Sequence, residues 1–153
     1  MGRRAFASGK RKQNTIKPTV VSDGQGRTLW AGAVRPGRTH DQTAVKTEGI
    51  GDLLAQHPGV RLRVDEGYRG LATAFPEQVT APPRKPPKDA AAEVVDAYKQ
   101  ARTQQSSRRI CVEHAIAEHK QWRTLQRYLG RRESFGETYL AVAGLVSDRA
   151  ARR

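Results

Sequence analysis

The chain has 153 residues, enough for a domain with a core, and its 28 Lys and Arg against 15 Asp and Glu give a formal net charge of +13. It holds no run near the roughly 20 apolar residues of a membrane span, and no signal-peptide pattern follows its basic N-terminus. One cysteine, Cys111, excludes an internal disulfide and a cysteine-rich zinc site. We therefore expect a cytoplasmic protein. The charge favours nucleic acid as partner, although a solubilising surface is also basic.

The N-terminal region predicts a basic arm over residues 1–15, followed by a β-hairpin. Residues 16–22 and 27–34 are rich in Val, Thr, Leu and Trp, which is typical of strands. Between them, Asp23-Gly24-Gln25-Gly26 has the composition of a turn. Pro18 implies an edge position or the first residue of its strand.

A helix is predicted next, with Thr39 or Asp41 as its cap and its end near residue 56, although two glycines, at 49 and 51, disfavour it. Residues 60–64 then read as a buried strand that delivers Asp65 to its C-terminal end, before a sharp turn at Gly67.

The second half of the chain is predicted to be mainly helical. A proline-rich basic connector over residues 81–88 separates it from the strands. Helices are expected over residues 90–104, 107–128 and 134–151, the last with a capping box between Ser134 and Glu137. Strands, an intervening helix and a helical C-terminal part indicate an α/β class.

The helix predicted over residues 107–128 carries a charged stripe. Arg109, Glu113, Ile116 and Lys120 fall within about 60 degrees on a helical wheel. An apolar face adjoins the stripe, comprising Val112, Ala115, Ile116, His119 and Trp122. Glu113 therefore lies at the border of the core, where an active-site carboxylate would lie. An ordinary ion pair with Arg109, worth about 0.2 to 0.5 kcal/mol, is the alternative.

Asp65 and Glu113 together have the chemistry of a two-metal site for phosphoryl transfer, which needs carboxylates from separate elements. Magnesium takes oxygen ligands and needs no His or Cys. Alone, Asp65 is equally explained as the cap of the turn that follows it. His114 and His119 lie about 140 degrees apart on the wheel, so they are not expected to share a metal ion.

Five motifs occur in order along the chain: residues 8–12 (Ser-Gly-Lys-Arg-Lys), 15–17 (Thr-Ile-Lys), 36–41 (Pro-Gly-Arg-Thr-His-Asp), 65–70 (Asp-Glu-Gly-Tyr-Arg-Gly) and 109–120. In this order they resemble the motifs of bacterial insertion-sequence transposases with a DDE superfamily endonuclease domain, and of the related Harbinger-type enzymes. The resemblance covers nearly the whole chain, including the closing Ala-Val-Ala-Gly-Leu-Val-Ser-Asp-Arg-Ala-Ala.

The resemblance implies an RNase H-like fold, with a mixed sheet flanked by helices, over residues 16–153. It implies that Asp65 and Glu113 are catalytic and hold divalent metal ions, Mg²⁺ or Mn²⁺. Arg109 and Lys120 match the family signature around the glutamate. The signature also has a Tyr where this chain has Ser106.

The first carboxylate of the family lies upstream of the Ser-Gly-Lys run, and no residue here can be assigned its role. Asp23 lies in the predicted turn, and Asp41 belongs to another motif. We therefore expect an N-terminally truncated DDE domain that lacks its first strand. Its function would be metal-dependent DNA strand cleavage and transfer in transposition, incomplete in the isolated chain. The alternative is a non-catalytic DNA-binding remnant.

The expected partner is DNA, both transposon ends and target, in the nucleoid. An upstream transposase segment and a second copy of the chain are further expected partners. Several cations are expected to contact DNA: Arg109, Lys120, Lys10, Arg11, Lys12, Arg84 and Lys85. Arg109 could instead orient Glu113, and the connector residues Arg84 and Lys85 could simply be solvated.

Overall fold

A computed structural model describes residues 15–152 of the chain. The chain divides into two compact units. The first consists of described residues up to Thr39 and from Ile110 onward, and the second runs from His40 to Arg109. Each unit has its own buried apolar residues. Lys10, Arg11 and Lys12, which the sequence predicts to contact DNA, lie outside the described residues.

The first unit contains the predicted hairpin. Strand β2 (Val20–Ser22) pairs antiparallel with β3 (Thr28–Ala31). The turn forms as its composition predicts, because the Asp23 carboxylate accepts hydrogen bonds from the amides of Gln25 and Arg27 and Gly26 has a φ of 82°.

Residues 16–22 do not form the single strand that the sequence predicts. Strand β1 (Ile16–Lys17) pairs antiparallel with β4 (Arg35–Pro36) instead of continuing into β2. Pro18 lies between β1 and β2 and belongs to neither strand. Because proline has no amide hydrogen to donate to a ladder, the pairing changes partner at this point.

The helices differ from the prediction in one major respect. Residues 92 to 121 form a single helix, α4 (Ala92–Gln121), so the predicted helices over 90–104 and 107–128 are wrong as separate elements. The interval between them contains neither Gly nor Pro, and polar residues alone do not end a helix. The short helix α5 (Arg123–Gln126) follows.

Helix α6 (Phe135–Ala151) packs on β3 and supplies most of the core of the first unit. Its buried residues are Tyr139, Val142, Ala143, Val146 and Ala150. The predicted capping box is wrong, because Ser134 has helical backbone angles and its side chain makes no cap hydrogen bond. A side-chain N-cap needs an extended backbone, whereas Ser134 ends a 3₁₀ turn, Arg132–Ser134.

His119 of α4 is the most buried polar residue of the first unit, with 1% of its surface exposed. Its Nε2 lies 2.8 Å from the Thr28 hydroxyl, and its Nδ1 lies 2.9 Å from the Tyr139 hydroxyl. The imidazole and phenol rings meet edge to face, with centroids 5.5 Å apart. Both ring nitrogens are therefore satisfied, as a buried polar group requires.

The second unit begins with helices α1 (Asp41–Thr47) and α2 (Ile50–Gln56). The sequence predicts one helix here, but the chain breaks at Gly49, which adopts a φ of 65°. The N-cap of α1 is His40, not Thr39 or Asp41, because its ring nitrogen accepts from the amide of Gln42.

A small parallel sheet follows α2. Strands β5 (Leu62–Arg63) and β6 (Val79–Thr80) pair in parallel, and helix α3 (Arg69–Ala74) connects them. The predicted strand over residues 60–64 is thus shorter than expected, although Val64 is buried.

The mixed α/β class is confirmed. The strands in the described range form three separate two-stranded sheets, two antiparallel and one parallel. The RNase H-like arrangement stays a prediction. Over residues 15–152, no helix combines the length and the apolar character needed to cross a bilayer.

We expect the free energy of unfolding to decrease as the pH falls below about 6.5, the pKa of an unperturbed histidine. Burial lowers the pKa of His119, outweighing the opposite effect of Glu118. The unfolded state then takes up a proton before the folded state does, which favours unfolding by up to about 1.4 kcal/mol per pH unit. Urea denaturation from about pH 5 to 8 tests this.

The matched variant is His119→Gln, whose amide keeps hydrogen-bonding capacity but does not titrate. It should be less stable at neutral pH and should lose stability less steeply below pH 6.5. Equal slopes for the two proteins in this acidic range would contradict the assignment to His119.

Candidate active-site cleft

Asp65 lies two residues beyond the end of β5, where the sequence places it. The Val64 amide still bonds to the Thr80 carbonyl at 3.0 Å, so the parallel ladder extends to the residue before Asp65. Asp65 has an extended backbone, and its Oδ1 accepts from the Glu66 amide at 2.9 Å. The carboxylate thereby caps the 3₁₀ turn Glu66–Tyr68, as the simpler sequence interpretation predicts.

The second oxygen of Asp65 contacts helix α4. Arg109 Nη2 donates to Asp65 Oδ2 at 2.9 Å, and the two side chains are 31% and 50% exposed. One helical turn earlier, the side-chain nitrogen Nε2 of Gln105 donates to the Val64 carbonyl oxygen at 3.3 Å. The end of β5 is therefore tied to α4 by two neighbouring contacts.

These contacts form one end of a cleft of about 520 Å³ within the second unit. Three segments line it: the Asp65–Arg69 turn, the proline-rich connector, and one face of α4. The lining residues are Asp65, Glu66, Arg69, Pro82, Pro83, Arg84, Lys85, Tyr98, Arg102, Gln105, Ser106 and Arg109.

Cations dominate the lining, with five Arg or Lys side chains against two carboxylates. Arg69 pairs with Glu66 through two hydrogen bonds of 2.7 Å. This hydrogen bonding lowers the pKa of the Glu66 carboxyl. Arg109 pairs with Asp65. Among the described residues, no carboxylate forms an ion pair with the other three cations, Arg84, Lys85 and Arg102. The cleft is therefore electropositive.

Glu113 and Lys120 belong to the first unit, where both are exposed on α4. Ala115 and His119 of the predicted apolar face are buried, and Ile116 is partly buried. Helix α4 therefore buries part of the apolar face that the sequence predicts. Asp65 and Glu113 lie in different units, so their convergence on one site stays a prediction.

Both oxygens of the Asp65 carboxylate accept hydrogen bonds from protein groups. One of its oxygens accepts from a guanidinium and the other from an amide. Across residues 15–152, no group of three or more His, Cys, Asp or Glu side chains is arranged to hold a metal. What the second unit presents is a cleft whose lining carries more cations than carboxylates.

A family model described as DDE superfamily endonuclease matches residues 1–146. The chain belongs to this family. No curated protein and no solved structure matches the chain. The family match spans the Asp65 turn, the connector and all of α4 in this DDE superfamily endonuclease, so the cleft belongs wholly to the matched region.

Sequence reasoning found part of this cleft and missed part. Asp65, Arg84, Lys85 and Arg109 are predicted site residues that the structure brings to one cavity. It also brings Arg69, Tyr98 and Arg102, which were not predicted. In a single helix, residues 98, 102, 105 and 109 share one face, and the erroneous helix break near residue 105 concealed this spacing.

Gly67, in the turn after Asp65, packs against the start of α1. A Cβ atom at Gly67 would lie 1.9 Å from Asp41 Oδ2, and the Gln42 side chain donates to the Gly67 carbonyl at 3.0 Å. Glycine thus suits position 67 for a second reason besides the expected sharp turn, which is that another side chain lies too close for a Cβ atom.

We expect Gly67→Ala to destabilise the protein by about 1 to 3 kcal/mol, the usual cost of overpacking. Its methyl group would displace the Asp41 carboxylate and strain the turn that carries Asp65. The control is Gly59→Ala, since a Cβ at Gly59 meets no atom within 4 Å. Urea denaturation of both variants measures the difference, and equal stabilities would argue against the packing contact.

Proposed function

We propose that this DDE superfamily endonuclease domain acts on DNA in transposition and that the cleft of the second unit contacts a DNA strand. The observation that carries the proposal is the electropositive cleft beside Asp65, in which five cations face two carboxylates and three of the cations form no ion pair with a described carboxylate. Phosphate oxygens are the polyanionic groups that such cations bind in nucleic acids. Family membership supports DNA as the substrate.

The catalytic form of the proposal is metal-dependent strand cleavage and transfer. DDE superfamily endonucleases use divalent metal ions, and Asp65 and Glu113 are the carboxylates proposed to hold Mg²⁺ or Mn²⁺ here. No residue of this chain is assigned the first carboxylate, so an upstream transposase segment would supply it. Lys120 would contact a backbone phosphate.

A second candidate function is DNA binding without catalysis. The ion pair between Asp65 and Arg109 favours it, because a carboxylate that is already engaged by a guanidinium is less available to a metal ion. Both functions predict DNA binding. They differ in what the Asp65 carboxylate does.

We expect DNA binding to depend strongly on salt. If Arg84, Lys85 and Arg102 each contact one phosphate, the affinity should fall roughly 40-fold between about 50 and 200 mM monovalent salt. Arg84→Gln should then reduce the slope of log affinity against log salt by about 0.9. Fluorescence anisotropy with labelled duplex DNA measures this. A salt-independent affinity would overturn the proposal.

In metal-free buffer we expect Asp65→Asn to bind DNA more tightly, by roughly 1.4- to 5-fold, which corresponds to the 0.2 to 1 kcal/mol of an exposed ion pair. The substitution removes a negative charge that repels phosphate from the cleft. Asp96→Asn is the matched control, because Asp96 pairs with Lys99 on α4 outside the cleft. Weaker binding by Asp65→Asn would contradict the role given to this ion pair.

The same variant separates the two functions in a plasmid-nicking assay with Mg²⁺. The isolated chain is expected to nick DNA negligibly. Nicking that disappears in both Asp65→Asn and Glu113→Gln would support the catalytic form. DNA binding with no nicking, when an upstream transposase segment is also present, would support the non-catalytic one.

A further inference from the structure

The cleft contains an aromatic ring that charge alone does not explain. Tyr98 lies on the face of α4 that lines the cavity and is partly buried there. Arg102, one turn later, donates from Nη1 to the Tyr98 hydroxyl at 2.8 Å. The phenol is thereby held at the cleft, with a guanidinium at its polar end.

The opposite wall is formed by the connector. Pro82 and Pro83 contribute flat apolar surface, and Arg84 and Lys85 continue it with positive charge. The Arg69 guanidinium, which is bound to Glu66, also donates to the Pro82 carbonyl and so ties the connector to the Asp65 turn. The cavity thus has an apolar, partly aromatic section beside a cationic section.

The size of the cavity limits what can enter it. A volume of about 520 Å³ lies within the roughly 300 to 1,000 Å³ range of small-molecule sites. A double helix is wider than its major groove, which is itself about 12 Å across. A duplex is therefore too wide to fit inside a cavity of this size. A single nucleotide that has left the base stack has both features that the cavity matches, an aromatic face and a phosphate.

We propose that the cleft receives an unpaired nucleotide of a DNA strand. Tyr98 packs against the base, and Arg84, Lys85 and Arg102 contact the adjoining phosphates. This inference rests on the proposed DNA-binding function and adds the form of the DNA that the site selects. Stacking on an aromatic ring tolerates any base, so the selection is for unpaired structure and not for sequence.

The test compares one duplex in three forms: blunt, with a single-stranded overhang, and with an overhang of the same length that lacks bases. The full chain should bind the base-containing overhang on the order of tenfold more tightly than the abasic one, since stacking on one aromatic contributes about this much. The abasic overhang keeps every phosphate, so this ratio reports the base alone.

Tyr98→Leu should abolish the preference for the base-containing overhang over the abasic one. Tyr98→Phe, which keeps the ring, should retain the preference. Arg102→Gln should weaken binding to both overhangs, whereas Arg108→Gln is the control of equal charge, because Arg108 is exposed on α4 outside the cleft. Circular dichroism and thermal melting verify that each variant is folded.

Three results would overturn the inference while leaving the proposed function intact: duplex binding without any overhang preference, a preference that survives in Tyr98→Leu, or equal effects of Arg102→Gln and Arg108→Gln. Displacement of the overhang DNA by an equal concentration of free nucleoside monophosphate would also overturn it, in favour of a site for free nucleotides. Failure to bind any of the three DNAs would overturn both proposals.

Discussion

The ion pair between Asp65 and Arg109 connects residues that are 44 positions apart in the chain. With the neighbouring contact of Gln105, it joins the end of β5 to α4 at one end of the cleft. A pair this exposed adds only about 0.2 to 1 kcal/mol to stability. The pair does not change the net charge of the cleft, since it engages one charge of each sign. The positive surplus comes from the other cations of the lining, which outnumber the carboxylates.

Local chemistry made some elements predictable. The Asp23 to Gly26 turn is specified by residues that are adjacent in sequence, so the hairpin formed where it was expected. Asp65 follows a buried strand and caps its own turn, which again needs only neighbouring residues. Interpretations that depended on a boundary inside a periodic pattern failed, such as the helix break near residue 105 and the cap at Ser134. No residue near position 105 specifies a break, and helix ends are the least sharply defined part of a helix.

The candidate site was predictable to the extent that its residues carry unusual chemistry. Asp65, Arg109 and the basic connector were identified as separate features, but nothing in the sequence shows that they line one cavity. Tyr98 and Arg102 were missed because an Arg and a Tyr on an exposed helix are ordinary. Their significance comes from the side of the cleft that they face. The connector residues that line it, Pro82 to Lys85, end 13 positions before Tyr98 in the chain.

The two glycines of the Asp-Glu-Gly-Tyr-Arg-Gly motif face two consecutive side chains of α1. A Cβ at Gly67 would strike Asp41, and one at Gly70 would come within 2.6 Å of the Gln42 side chain. The motifs at residues 36–41 and 65–70, which look independent in the sequence, are therefore two halves of a single packing arrangement. A larger residue at position 67 should therefore be tolerated better when position 41 carries a smaller side chain.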